Sequence, residues 1–179
     1  MVAHDSRNEA SIGPVPATSG ARWHVLHTRS RQEREVERAL SNFGIQTYLP
    51  VARRTRFYAH RRREVSMPLF PSYVFMHGDV EATYLALGTK RVARVVNVAD
   101  QARLEFEMEQ IRRAITSNED FLPVDALVEG VRARVARGPL KDVEGIVEQR
   151  RFPNRLVLQI QTLGQATSLE VDADLLEPV

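Results

Sequence analysis

Along residues 22–116 the hydrophobic positions switch repeatedly between the two-residue period of strands and the longer period of helices. Amphipathic helices are predicted between the first two strands, between the last two, and after the fourth. The resulting order, β-α-β-β-α-β-α, is typical of a ferredoxin-like α+β fold, in which helices pack on one face of an antiparallel sheet. The four predicted strands are rich in aromatic and β-branched residues and cover residues 23–28, 46–51, 72–76 and 92–98.

The ends of these helices carry recognisable capping residues. Ser30 and Glu33 fit a capping box at the start of the first helix, and Gly44 occupies the position of a left-handed C-cap. Asp79 and Asp100 are the predicted N-caps of the second and third helices. These signals set the expected bounds of all three helices.

The last third of the chain has a different pattern, with short strands separated by Gly, Pro and Asn and no helical period. Such closely spaced strands predict a small β-barrel. We therefore predict one domain at residues 22–116, a linker at 117–125 and a second domain at 126–179. Residues 1–21 are rich in Ser, Pro, Gly and Ala and predict a disordered tail. The predicted barrel strands are residues 131–136, 145–149, 156–161, 169–171 and 175–177.

Composition narrows the class of protein. The 179 residues include no cysteine, which excludes disulfides, thiolate nucleophiles and cysteine-ligated metals. No apolar run approaches the ~20 residues of a membrane helix, and the N-terminus lacks the apolar core of a signal peptide, so we expect a cytoplasmic protein. Residues 22–120 hold 17 Lys and Arg against 12 Asp and Glu, whereas residues 121–179 hold 7 against 9. This asymmetry predicts two domains with different partners.

No catalytic constellation is evident in the sequence. The five histidines are scattered, and His24 and His27 point to opposite faces of a strand. Neither a Gly-rich phosphate loop nor a Gly-x-Ser-x-Gly motif is present. We therefore predict no enzymatic activity, no metal and no cofactor.

A basic stretch is the first candidate site. Residues 53–63 contain six arginines interleaved with Phe57, Tyr58 and His60. Arginine matches phosphate oxygens, and aromatic rings stack on unpaired bases, so the stretch predicts nucleic-acid binding. A solvated hairpin and a protein-docking arm remain alternatives. The predicted contacts are Arg61, Arg62 and Arg63, with Arg29, Arg31 and Arg34 around the first helix start enlarging the patch.

The densest apolar stretch, residues 68–75, is the second candidate site. Tyr73 and Phe75 point to one face of the predicted strand, and Val74 and Met76 to the other. If the helices cover the Val74 face, the two aromatic rings form an exposed patch of the kind that anchors interfaces. Periodicity alone leaves core and interface equally open.

Two segments resemble the NusG family of transcription elongation factors. Residues 23–28, followed by an amphipathic helix and then by Pro-Leu-Phe-Pro-Ser-Tyr-Val-Phe at 68–75, resemble its N-terminal domain. Residues 130–140, with Gly-Ile-Val at 145–147, resemble its KOW motif, which implies an SH3-like β-barrel. The resemblance covers residues 22–179.

The resemblance implies a factor that binds RNA polymerase at the β′ clamp helices and β gate loop and suppresses pausing or termination. Phe70, Tyr73 and Phe75 fall at the clamp-helix pocket, and Thr83 and Tyr84 at the gate-loop position. Arg29, Gln32 and Lys90 fall where RfaH-type members touch the non-template DNA strand. The KOW turn at Gly138, Pro139 and Leu140 would recruit NusE or Rho.

The sequence Pro-Leu-Phe-Pro-Ser-Tyr is closer to RfaH-like paralogues than to the Phe-Phe-Pro-Gly-Tyr common in housekeeping members, and predicts a specialised antitermination paralogue. We expect a monomer whose C-terminal domain is a constitutive barrel, because glycines and prolines would interrupt helices there. The alternative function is a ribosome-associated or RNA-binding KOW protein that uses the basic hairpin as its main site.

Overall fold

The structure, a computed structural model, describes residues 20–58, 61–117, 122–124, 130–148, 155–172 and 175–179, and it describes the backbone alone for 53–58, 61–64, 122–124, 148 and 155. The chain divides into two compact units. The first unit comprises the described residues up to Leu49 together with Ser72–Asn97, and the second comprises Pro50–Pro71 together with the described residues of Val98–Val179. The predicted tail lies outside the described residues, except for its last two positions.

The described elements include both strands and helices up to residue 116 and are almost entirely strands thereafter. In chain order they are β1 (Arg22–Thr28), α1 (Glu33–Asn42), β2 (Gln46–Tyr48), β3 (Val51–Tyr58), β4 (Arg61–Pro68), β5 (Tyr73–Gly78), α2 (Val80–Gly88), β6 (Val92–Asn97), α3 (Gln101–Thr116), β7 (Leu122–Val124), β8 (Val131–Val135), β9 (Glu144–Glu148), β10 (Arg155–Ile160), a 3₁₀ turn (Gln161–Leu163), β11 (Gln165–Glu170) and β12 (Leu176–Pro178).

The first unit is built on a four-stranded antiparallel sheet in the order β2-β5-β1-β6. This is the strand order of a split β-α-β arrangement, and it confirms the predicted ferredoxin-like α+β fold. Val25 in β1 lies opposite Phe75 in β5 and opposite Val96 in β6. The two interior strands, β1 and β5, therefore carry the centre of the core.

Helix α2 packs on the face of β5 that carries Val74 and Met76. A Cβ atom added to Gly78, which points to the same face, would lie 2.5 Å from the Cβ of Ala82 in α2. Helix and strand approach so closely at this point that only glycine fits. Val74 and Met76 are fully buried, so the helices cover the Val74 face.

Three of the predicted helix caps are confirmed. Gly44 has φ of 72°, as a left-handed cap requires. The Asp79 side chain accepts a 2.9 Å hydrogen bond from the amide of Ala82, and that of Asp100 accepts one of 2.9 Å from the amide of Arg103. These side chains satisfy amides that the helix itself leaves without partners.

The predicted capping box at Ser30 and Glu33 is wrong. Helix α1 begins at Glu33, and its N-cap, Gln32, makes no side-chain capping hydrogen bond. The carboxyl oxygen Oε1 of Glu33 instead accepts a 2.6 Å hydrogen bond from the backbone amide of Ser72. The hydrogen-bond partner of Glu33 is therefore 39 residues away in the chain and does not belong to the first turn of α1.

The second unit contains the basic hairpin, formed by β3 and β4 in register from Val51 opposite Pro68 to Tyr58 opposite Arg61. The predicted strand at 46–51 is split in two before this hairpin. Pro50 lacks an amide hydrogen and cannot donate to a ladder, and its carbonyl accepts from the amide of Leu69 instead.

The C-terminal strands of the second unit form an antiparallel sheet in the order β12-β8-β9-β10-β11-β7. Its core is apolar, with Leu156, Ile160 and Leu169 fully buried. A Cβ on Gly145 would lie 2.7 Å from the carbonyl oxygen of Val157, so the strands approach too closely there for any other residue. The separate β-rich sheet fits the predicted KOW domain.

Two features of this unit differ from the predicted linker and boundary. Strand β7 lies within the predicted linker yet pairs with β11. Helix α3 belongs to the same unit, because the side chain of Gln110 accepts from the amide of Glu144 (2.8 Å) and that of Glu107 from the amide of Gln161 (3.1 Å). The domain boundaries at 116 and 126 stay predictions.

Candidate nucleic-acid interface

Two loops of the first unit bring basic side chains together beside the start of α1. The amide of Arg29 donates a 2.8 Å hydrogen bond to the carbonyl of Arg91, and Nε of Arg91 donates one of 3.1 Å to Oε1 of Gln32. The loop before α1 and the turn after α2 are thereby joined. We call the following five residues the basic cluster: Arg29, Arg31, Gln32, Lys90 and Arg91.

Two cations of the basic cluster have left-handed backbone. Arg31 has φ of 60° and Lys90 has φ of 59°. This conformation costs a residue with a Cβ on the order of 1 kcal/mol, and such strain is concentrated at functional positions. The amide of Lys90 donates to the carbonyl of Leu87 (3.0 Å), which fixes the turn. The fold thus presents long cationic side chains at positions where glycine would be less strained.

The four cations of the basic cluster are exposed. Within the described part of the chain, none of them is paired with a carboxylate. Unneutralised positive charge on one surface attracts a polyanion and releases its counterions on binding. The arrangement fits phosphate groups.

The structure brings together four residues that the sequence predicted, Arg29, Arg31, Gln32 and Lys90. Sequence reasoning missed Arg91, whose one signal was its place directly after Lys90. Of the other predicted cations, Arg34 is exposed on α1. Arg61, Arg62 and Arg63 belong to β4, where the structure describes their backbone but not their side chains.

The aromatic residues of β5 are less exposed than predicted. Phe75 is 0% exposed and its ring lies 6.1 Å from that of Tyr48. The helices cover the Val74 face, as the exposed-patch hypothesis required, but β5 is an interior strand and its other face is buried at Phe75 as well. The exposed-patch hypothesis is therefore wrong at Phe75, and Phe70, at 1% exposed, presents no surface either.

Tyr73 keeps part of its surface. It is half-buried at the start of β5, and its ring lies 5.0 Å from the ring of His27, its cross-strand partner in β1. Of the three aromatic residues predicted at the clamp-helix pocket, Tyr73 is the one with accessible surface.

Helix α2 carries an exposed apolar stripe. Val80, Tyr84 and Leu87 are 63%, 69% and 42% exposed and share one face at the spacing i, i+4, i+7. Thr83 is half-buried, and its hydroxyl donates a 2.6 Å hydrogen bond to the carbonyl of Val80. Of the two residues predicted at the gate-loop position, Tyr84 offers the larger surface.

A sequence profile described as "Transcription termination factor nusG" matches residues 21–115, more than half of the chain. The chain belongs to the NusG family. It is therefore a transcription termination/antitermination factor of that family, and the resemblance on which the predictions rested is confirmed.

Curated relatives of this NusG-family chain match over nearly their whole length. The "Transcription termination/antitermination protein NusG" of Pseudomonas aeruginosa is 26% identical over 175 residues, covering 88% of this chain and 98% of the relative. That of Neisseria meningitidis is 22% identical over 178 residues, covering 88% and 98%. A solved structure, "Domain interaction in Thermotoga maritima NusG", is 22% identical, covers 89% of this chain and 97% of its own, and has a TM-score of 0.46.

The predicted KOW turn of this NusG-family chain connects β8 and β9. Gly138 has φ of 89°, and its carbonyl accepts from the amide of Lys141 at 3.1 Å. Gly138 and Pro139 are exposed, whereas Leu140 is buried. The turn therefore presents its first two residues and anchors itself with the third.

Two buried titratable groups have shifted pKa values. Burial, with Arg22 nearby, lowers the pKa of His24 below its ordinary 6.5. Burial raises the pKa of Glu107, against a hydrogen bond from Arg103. Among the described residues, no group of His, Asp and Glu is arranged to hold a metal ion, and no described helix is long and apolar enough to cross a membrane.

Proposed function

We propose that this NusG-family chain binds transcribing RNA polymerase and contacts nucleic acid through the basic cluster, and that it thereby suppresses pausing or termination. The observation that carries the proposal is the set of exposed cations without carboxylate partners among the described residues, two of them on left-handed backbone. Strained cationic loops serve no evident structural purpose, because glycine would relieve the strain at both positions.

The polymerase contacts in this proposal are Tyr73 and Tyr84. Tyr73 corresponds to the clamp-helix pocket and Tyr84 to the gate-loop position of the family. The factor carries out no chemistry. It acts because it binds the closed-clamp state of the polymerase more tightly and so shifts the population towards that state.

The C-terminal sheet has a separate role in the proposal. Its exposed turn at Gly138 and Pro139 recruits a partner protein, NusE or Rho, while the first unit stays on the polymerase. Binding of each purified partner to the full chain, compared with the Pro139→Ala variant, tests this part.

The central experiment measures binding to elongation complexes with an exposed non-template strand, at several salt concentrations. The double variant Arg29→Ala with Arg91→Ala should bind more weakly, and its plot of log affinity against log salt should be flatter by about 0.7 to 0.9 for each phosphate that is no longer neutralised. Arg38→Ala with Arg112→Ala is the matched control, since both arginines are exposed and paired with glutamates. An unchanged slope in the first variant would contradict the proposal.

The same preparation separates the alternative function. An RNA-binding KOW protein binds free RNA tightly and in a salt-sensitive manner without polymerase, and loses that binding in the triple variant Arg61→Ala, Arg62→Ala, Arg63→Ala. Stronger binding to free RNA than to elongation complexes would favour that alternative.

The specialised role remains part of the proposal. Deletion of the gene should change transcript levels in a few long operons if the protein is a specialised paralogue. A genome-wide change in pausing would indicate a housekeeping factor instead.

A further inference from the structure

Glu33 is buried although it is the first residue of α1 and directly follows Gln32 of the basic cluster. It is 7% exposed, and Oε1 of its side chain accepts the hydrogen bond of 2.6 Å from the backbone amide of Ser72. A carboxylate that accepts from an amide in a partly buried position makes a short, strong hydrogen bond. Its partner belongs to the segment just before β5.

Ser72 has a backbone conformation that its own side chain disfavours. Its φ is 67°, in the left-handed region that favours glycine. Both of its backbone groups are held, since its amide donates to Glu33 and its carbonyl accepts a 2.8 Å hydrogen bond from the amide of Thr28. The strained residue is therefore fixed between the end of β1 and the start of α1.

These hydrogen bonds determine how Tyr73 enters the sheet. Tyr73 follows Ser72 directly, begins β5 and pairs with His27. If Ser72 relaxed to a negative φ, the chain would enter β5 from another direction, and the rings of Tyr73 and His27, now 5.0 Å apart, would separate.

The same carboxylate adjoins the basic cluster. Gln32, its neighbour in sequence, accepts from Arg91, and the amide of Arg29 donates to the carbonyl of Arg91. Two side-chain hydrogen bonds, joined through the adjacent residues Gln32 and Glu33, thus connect the turn after α2 to Ser72, the residue just before β5. Glu33 is the link between the two halves of this connection.

We propose that Glu33 is a positioning residue that holds Tyr73 and the basic cluster in one fixed arrangement, so that the polymerase contact and the nucleic-acid contact form together. This inference rests on the proposed function. It assigns no contact with polymerase or DNA to Glu33 itself.

Three substitutions separate the reach of the side chain from its charge. Glu33→Gln keeps the length and an acceptor oxygen but removes the charge, Glu33→Asp keeps the charge but shortens the side chain, and Glu33→Ala removes both. Glu35→Ala is the matched control, because Glu35 lies in the same first turn and pairs with the exposed Arg38.

The first readout needs no polymerase. In NMR spectra of the full chain, Glu33→Asp and Glu33→Ala should change the amide resonance of Ser72 and lose the proximity of the Tyr73 and His27 rings. Glu33→Gln and Glu35→Ala should leave both close to those of the wild type. Fluorescence of Trp23, the single tryptophan and 4% exposed, checks that each variant is folded. If Glu33→Ala does not fold, the comparison of Glu33→Asp with Glu33→Gln decides.

The second readout is affinity for elongation complexes. Glu33→Asp and Glu33→Ala should bind about tenfold more weakly because they displace the Tyr73 ring, an anchoring aromatic side chain. Glu33→Gln should recover most of that loss. Wild-type affinity in the aspartate variant, or an equal loss in Glu35→Ala, would overturn the inference. If the wild-type chain does not bind elongation complexes, the proposed function fails, and unchanged Ser72 and Tyr73 resonances in Glu33→Asp would then overturn the inference separately.

Discussion

The basic cluster and the aromatic residues at the start of β5 were both predicted as interfaces, and they differ in how far the fold exposes them to solvent. The cations of the basic cluster are exposed, whereas Phe75 is fully buried. An unpaired charge is expensive to bury, so its place on the surface follows from its chemistry alone. A phenyl ring is stable in either environment, and its location depends on which elements pack over its strand.

The Phe75 position shows why an alternating pattern could not decide this question. The helices do cover the Val74 face, which was the condition for an exposed aromatic patch. The patch is nevertheless absent at Phe75, which is fully buried, as is its cross-strand neighbour Val25. Period two identifies the two faces of a strand but not the number of layers that cover them.

The largest expected effect tests that burial. Phe75→Ala should lower the free energy of unfolding by about 3–5 kcal/mol, because it leaves a cavity in the core. Urea denaturation measures this change, and Tyr84→Ala, at an exposed position, should change stability by less than about 0.5 kcal/mol. A stable Phe75→Ala protein that no longer binds polymerase would instead return Phe75 to the interface.

The next effect concerns the half-buried ring. Tyr73→Ala should weaken binding to core polymerase by about 2 kcal/mol, roughly thirtyfold, because it removes an anchoring aromatic side chain. Its loss of stability should be smaller than that of Phe75→Ala. Tyr73→Phe keeps the ring and should retain most of the affinity in the same pull-down or titration; equal binding by Tyr73→Ala would exclude this residue from the interface.

A smaller effect concerns the strained backbone of the basic cluster. Lys90→Gly should raise the free energy of unfolding relative to Lys90→Ala by up to about 1 kcal/mol, because glycine adopts positive φ without a steric penalty. Both variants should bind nucleic acid more weakly than the wild type. Thermal unfolding and gel shifts measure the two quantities, and a glycine variant less stable than the alanine variant would argue against strain at this turn.

The smallest effect is a pH dependence in the core of the first unit. Burial lowers the pKa of His24, so the unfolded chain binds a proton more readily than the folded one. Stability should therefore fall as the pH drops below about 6.5. Denaturation of the wild type and of His24→Asn at pH values of about 7.5 and about 5.5, on either side of the ordinary histidine pKa, measures this. An equal loss in both proteins would assign the pH dependence to other groups.

Local signals predicted much of the fold. Asp79, Asp100 and Gly44 act on amides or dihedral angles within a few residues, and each cap is present as expected. The strand order of the first sheet followed from the succession of elements. Such features depend on chemistry that is complete within a short segment.

Features that depend on distant partners could not be predicted in the same way. Glu33 satisfies a local capping pattern, yet its oxygen accepts from Ser72, which only the folded chain brings near. Arg91 lies in the basic cluster because its backbone carbonyl accepts a hydrogen bond from the amide of Arg29, which is distant in the sequence. The three residues of β7 lie within the predicted linker, yet they form a strand because they pair with β11.

In the chain, the basic hairpin lies between β2 and β5, and among the described strands β3 and β4 pair with each other. Each strand has eight residues, so the basic hairpin is about 27 Å long. One more residue on each strand would extend it by about 3.4 Å and leave every register of the four-stranded sheet unchanged. The length of the hairpin is therefore set independently of the strand pairing in the four-stranded sheet.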